Sequence, residues 1–146
     1  MEVKIKAFNG LSLNELYDIL ALRNEVFIVE QNCVYQDIDS KDQKALHVLL
    51  YEGSSLAAYA RLFDKGIAYD TAAIGRVIVA PAYRNRALGD LLVDEAIKAI
   101  ETHYKTISIT ISAQAHLQRF YGKHEFVTVS EEYLEDDIPH VKMKRN

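Results

Sequence analysis

The segment from Ile74 to Leu92, IGRVIVAPAYRNRALGDLL, constrains this chain most. An apolar run, Val77-Ile78-Val79-Ala80, stops at Pro81, and Arg84-Asn85-Arg86-Ala87-Leu88-Gly89 then opens an amphipathic helix read from Asp90 to Ile100. A strand feeding a helix through a short loop belongs to a sheet covered by helices. The same junction suits a phosphorylated ligand, because the first helical turn leaves backbone N–H groups unpaired and their dipoles favour an anion. Ala87 and Gly89 lack the bulk that would keep a pyrophosphate off that backbone. Arg84 and Arg86 add positive charge and forked donors. An ordinary strand–loop–helix junction with solvated arginines would read the same way from these residues alone.

Other phosphate motifs are excluded by the letters. A P-loop ends in Gly-Lys-Ser/Thr, whereas Gly89 is followed by Asp90. A dinucleotide fingerprint needs three glycines after an early strand, and this loop has one, past mid-chain. At 146 residues the chain reads as a single domain, 1–146, and 49% hydrophobic residues supply a packed core. Met1 to Lys6 alternates polar and apolar and does not read as a signal peptide. No uncharged apolar run approaches the ~20 residues of a membrane span, so no membrane partner is expected. Cys33, the one cysteine, excludes an internal disulfide and points to a cytoplasmic protein. A net charge of −4 argues against nucleic-acid binding.

Read coarsely, Val3–Phe8 is a strand, and Ser12 caps a helix with Glu15 closing a capping box. That helix carries Leu13, Leu16, Tyr17 and Leu20 as its apolar positions, continuing towards Phe27. Asn32–Asp42 is polar and loop-like. Ala45–Tyr51 and Ser55–Phe63 form a hairpin around Glu52-Gly53-Ser54. Strand and helix then alternate: Ile74–Ala80, Arg86–Tyr104, Thr106–Ser112 and a helix from Gln114 to Lys123. Val127–Tyr133 and Pro139–Lys144 close the chain as strands. The expected class is α/β: a mixed sheet flanked by helices on both faces.

Two of these segments together resemble the GNAT superfamily of N-acetyltransferases. The Arg84–Gly89 loop is similar to that family's Gln/Arg-x-x-Gly-x-Gly/Ala pattern, with Ala87 where the first glycine is common. The stretch from Ile109 to Phe126 is similar to its strand–Asn-x-x-Ala-x-x-Leu/Phe-Tyr-x-x-x-Gly-Phe pattern, with Gln114 in place of asparagine and Glu125 in place of glycine. Leu22-Arg23-Asn24-Glu25-Val26-Phe27-Ile28-Val29-Glu30-Gln31-Asn32-Cys33 and Glu135-Asp136-Asp137-Ile138-Pro139-His140 resemble signatures of the ElaA-like branch, with Asp137 where glycine is usual. Aspartate tolerates the positive φ such a position can require.

The resemblance implies a GNAT fold and an enzyme that moves an acetyl group from acetyl-CoA, as co-substrate, to a primary amine of a small molecule or peptide. It places CoA against Val77, Ile78, Val79, Arg84, Asn85, Arg86, Ala87, Leu88, Gly89 and Gln114. It makes Tyr121 the acid that protonates the leaving thiolate, a role open to a phenol that stays protonated at neutral pH. The acceptor amine must lose a proton, and Glu30, His47, His116, Glu135 and His140 are candidate bases, with His140 and Glu30 in the signature segments. Each has a plainer reading; His47, inside an apolar strand, reads as a hydrogen-bonded structural histidine. Arg76, on the same strand, calls for a carboxylate partner, either Glu30 or an acidic acceptor. Cys33 lacks the His/Asn spacing of a nucleophile. The histidines lack the close spacing of a metal site, so no metal is expected. A non-catalytic CoA-binding protein and a structural domain that binds nothing remain open, as does a homodimer.

Overall fold

The computed structural model describes residues 1–146. In chain order the elements are β1 (Glu2–Ala7), α1 (Leu13–Arg23), β2 (Leu46–Glu52), β3 (Ser55–Phe63), β4 (Ala72–Val79), α2 (Leu88–Tyr104), β5 (Ile109–Gln114), α3 (Gln118–Gly122), β6 (Val127–Thr128), β7 (Tyr133–Glu135) and β8 (Ile138–Arg145). The strands form one sheet in the order β1-β2-β3-β4-β5-β8-β6, with β7 also paired to β8. Every pairing is antiparallel except β4 with β5.

Alternating side chains bury both faces of this sheet. Val48, Leu50, Ala58, Ala60 and Leu62 point to one face and pack against Leu92, Val93, Ala96, Ile97 and Ile100 of α2. Their neighbours Leu49, Tyr51 and Tyr59, with Ile78, point to the other and meet Ile19, Leu22 and Val26. A sheet covered on both sides reads as unbroken apolar runs, which is the character of Val48–Tyr51. Each fully buried Leu or Ile adds roughly 1.5–3 kcal/mol. The mixed sheet with helices on both faces is therefore the architecture observed.

Ser12 and Glu15 form the expected capping box: Glu15 N–H donates to Ser12 Oγ at 3.0 Å and Ser12 N–H to Glu15 Oε1 at 2.8 Å. The apolar face of α1 differs from the expected one. Leu13 and Tyr17 are exposed, whereas Glu15, Ile19, Leu22 and Val26 turn inward. Lys4 and Lys6 of β1 both bind the Glu15 carboxylate at 2.9–3.0 Å, and that ionic contact sets the helix's rotation. Beyond Arg23 the chain continues as a π-helix, Asn24–Glu30, with Cys33 N–H reaching back five residues to the Ile28 carbonyl.

The helix expected from Arg86 begins at Leu88, because Asn85 and Ala87 adopt left-handed φ of 66° and 57°. Gln114 closes β5 instead of opening a helix, and a 3-10 turn at Ala115–Leu117 leads into α3. The expected strand Val127–Tyr133 divides into β6 and β7, both on β8. Between them Ser130 Oγ accepts the Lys142 N–H at 2.9 Å, a side chain standing in for a ladder carbonyl. Asp136 and Asp137, at φ of 51° and 62°, make the tight turn from β7 to β8.

Candidate active site

Strands β4 and β5 pair only at Ala72–Ile109 and Ala73–Thr110 and then diverge. The divergence opens a cleft of about 570 Å³ in the middle of the sheet. From Gly75 onward β4 keeps its pairing with β3 and presents its other backbone edge to this cleft. Val77 and Val79 are half-buried there, while the Ile78 side chain turns into the core beneath α1, leaving only its backbone for a ligand.

The cleft collects Glu30, Val77, Ile78, Val79, Arg84, Gly89, Gln114, Tyr121 and His140. Asn85, Ala87 and Leu88 line an adjoining recess of about 170 Å³, shared with Arg84 and Gly89 at the start of α2. Arg86 lines neither. Its fork binds the Glu52 carboxylate at 3.0 and 3.2 Å, and its guanidinium lies over the Tyr83 ring. The cationic loop expected from two arginines therefore rests on Arg84 and on backbone N–H groups.

Gly89 stands where the cleft meets the recess. A Cβ at this position would lie 3.3 Å from Phe120 Cζ, so its hydrogen lets the Phe120 ring cross the helix start. Phe120 meets Tyr121 edge-on at 5.0 Å, and Phe126 closes on Tyr121 from 6.0 Å. Burial among these rings pushes the Tyr121 hydroxyl up to about 12. It stays protonated across the physiological range, as a proton donor must.

Arg84 donates through Nε to the Val79 carbonyl at 3.1 Å and forks onto Glu30 at 2.7 and 2.9 Å. The Arg84 hydrogen bonds hold the Glu30 carboxyl below the usual carboxylate range. Glu30 is thus the ion-pair partner of Arg84 rather than an unpaired carboxylate. A carboxylate on that fork competes with any phosphate for it. The expectation that acetyl-CoA lies against Arg84 then predicts that Glu30→Gln tightens its binding a few-fold, the scale of an exposed bidentate pair. Weaker binding in a titration of the variant would make the pair a brace of the loop instead.

On the opposite wall His140 Nδ1 lies 2.7 Å from the Ile138 carbonyl. An acceptor there requires Nδ1 to carry the proton, so neutral His140 presents a lone pair at Nε2. That Nε2 lies 3.4 Å from Glu135 Oε2, and Glu135 also accepts from Ser112 Oγ at 3.1 Å. Ser112 in turn bonds the Tyr133 hydroxyl at 2.6 Å, and the Tyr133 ring stacks on His140.

The expected Glu30 partner of Arg76 is not the one found. Asp37 takes that place, with Oδ1 at 2.7 Å from Arg76 Nε. Asp37 belongs to an ionic cluster absent from the sequence reading. Arg23 Nε donates to Asp37 Oδ2 at 2.7 Å, Arg23 and Arg61 share Asp42 Oδ1, and Arg61 forks onto Asp39. Both arginines are almost wholly buried. Their position inside apolar runs, opposite three aspartates in the polar stretch Asn32–Asp42, was the available signal. His47 is structural, as its strand position suggested: it sits between the Tyr59 hydroxyl at 2.6 Å and the Asp42 carbonyl at 2.9 Å.

An acetyltransferase (GNAT) domain model matches residues 13–146. The chain belongs to the GNAT family. Within the family it is similar to Escherichia coli ElaA, 42% identical over 92% of this chain and 90% of that protein. The crystal structure of E. coli ElaA superposes with a TM-score of 0.92 over all of both chains. An acyl-CoA N-acyltransferase from Pseudomonas aeruginosa gives a TM-score of 0.95 at 42% identity, covering 99% of each chain. A GNAT protein of this kind is an acyltransferase by family and fold. No helix of this one is long and apolar enough to cross a membrane.

Proposed function

We propose that the protein transfers an acetyl group from acetyl-CoA directly to a primary amine of a small molecule or peptide. The observation that carries this reading is the placement of a buried, proton-bearing Tyr121 in the same cleft as the open edge of β4 and the start of α2. The similar Pseudomonas protein is described as an acyl-CoA N-acyltransferase, which supports the same donor. The phosphate end fits the recess lined by Arg84, Asn85, Ala87, Leu88 and Gly89, and the backbone of Val77–Val79 flanks the pantetheine and acyl carbonyl. Gln114, paired across the sheet with His140, lines the far side.

In this reading His140 Nε2 takes one proton from the acceptor nitrogen, with Glu135 beside it. The nitrogen lone pair forms the new C–N bond at the thioester carbon as the C–S bond breaks. Tyr121 gives its proton to the departing sulfur, and the proton held by His140 passes through solvent to restore Tyr121, so both groups end as they began. The balance is acetyl-CoA plus amine giving N-acetyl amine plus CoA thiol. A protein that only binds CoA needs no donor at the sulfur, and Tyr121 favours the enzyme.

Gly89→Val tests the donor half. Its added methyls meet Phe120 and fill the junction of cleft and recess, so acetyl-CoA binding is expected to fall beyond detection in a calorimetric titration while thermal unfolding stays cooperative. Wild-type affinity in the folded variant would remove the loop from the site.

A further inference from the structure

We propose that the acceptor is a small zwitterion, an amino acid carrying its carboxylate near the reacting amine, and that Arg76 binds the carboxylate. This rests on the acyl-transfer reading and narrows it to a substrate class. The first observation is the path of β4. Tyr59 pairs with Ile78 and Arg61 with Gly75, so Arg76 and Val77 together oppose Ala60 alone. At this bulge Arg76 adopts a left-handed φ of 49°, a conformation a side-chain-bearing residue rarely takes. It lines the cleft, with its guanidinium 5.5 Å from the Phe27 ring centre.

The second observation is what the guanidinium leaves unused. Its Nε is close to Asp37 Oδ1, yet that N–H is not aimed at the oxygen and makes no hydrogen bond. Its Nη2 is 3.9 Å from Asp39 Oδ2, too far for one. Asp37 is already engaged by Arg23, and both oxygens of Asp39 by Arg61. The aspartates therefore anchor Arg76 by charge through its buried Nε side and leave the terminal nitrogens Nη1 and Nη2 without a hydrogen-bond partner. A carboxylate matches that pair with two parallel charge-assisted hydrogen bonds.

The third observation supplies the other end. The His140 Nε2 lone pair and the Glu135 carboxylate lie 3.4 Å apart in the same cleft, two acceptors that an N–H donor from outside would satisfy together. An amine nitrogen placed between them and a carboxylate on Arg76 use both ends at once. A diamine would instead bring its second cation to an arginine.

The test compares CoA-thiol release from acetyl-CoA with matched pairs, each an amino acid and the amine left by removing its carboxylate: lysine and cadaverine, ornithine and putrescine, β-alanine and ethylamine. Free amino acids and carboxylate-ended dipeptides form a further arm that separates a metabolite from a peptide as the source. At least one amino acid is expected to exceed its amine in kcat/KM by roughly 10- to 100-fold, the scale of hydrogen bonds to a charged group. Arg76→Gln should erase that ratio, chiefly through KM, with the acetyl-CoA dissociation constant unchanged; Arg76→Lys should restore part of it. Amines used as well as their amino acids by the wild-type protein, or a ratio unaltered by Arg76→Gln, would overturn the proposal and leave acyl transfer standing. Transfer to neither member of any pair, with acetyl-CoA bound, overturns the acyl-transfer reading and this one with it.

Discussion

Tyr121→Phe is expected to leave acetyl-CoA affinity unchanged and to lower turnover by roughly 10²–10⁴-fold, the range for loss of a positioned general acid. The change removes one oxygen and keeps the ring that Phe120 and Phe126 hold edge-on, so packing and fold should survive. With the hydroxyl raised to about 12, the proton is still present well above pH 9. Any alkaline fall in rate below pH 11 must then come from a group other than Tyr121. Single-turnover rates of thiol release, measured beside a binding titration, decide the matter. Turnover equal to wild type would mean that water protonates the thiolate and that Tyr121 only fills space.

The sequence made the frame of this site legible because local chemistry dictates it. The Ser12–Glu15 box, the strand ending at Pro81 and the small residues before α2 each act over a few positions, and they appear where their letters stand. What stayed hidden depends on pairing between distant segments. Glu30 reaches Arg84 across 54 positions, and nothing local to either announces the other. Tyr17 looked like core because its spacing fits an apolar stripe. A Glu15 carboxylate gripped by two lysines of another strand rotated the helix away from that stripe. The polar stretch Asn32–Asp42 read as a solvated loop, since a charge run usually is one. Its aspartates are instead the counter-ions of two arginines embedded in apolar elements.

Those counter-ions carry the second large effect. Asp42→Ala is expected to destabilise the protein by about 3–5 kcal/mol, the cost of removing one partner from a buried ionic contact. Asp42 Oδ1 is shared by Arg23 at 2.6 Å and Arg61 at 2.9 Å, and removal takes one carboxylate from each arginine at once, leaving Arg23 on Asp37 and Arg61 on Asp39. For a chain of this size the melting temperature should fall by roughly 10 °C or more. The wild-type protein should also lose stability in acid in two stages, each with a defined sign. Burial pushes the His47 imidazole below its ordinary 6.5, so its contribution is complete above pH 6.5 and declines as pH falls beneath that value. Burial opposes ionisation of Asp39, but the Arg61 hydrogen bonds outweigh it and bring the carboxyl to about 2, against 3.8 when free. Its contribution is present above pH 3.8 and is lost towards pH 2. Melting curves from pH 7 to pH 2 follow both stages. A melting temperature that is flat from pH 7 to 5, or an Asp42→Ala variant as stable as wild type, would mean that water reaches the cluster. The aspartate cluster would then no longer anchor Arg76, since a solvated Asp37 could not hold a guanidinium by charge alone.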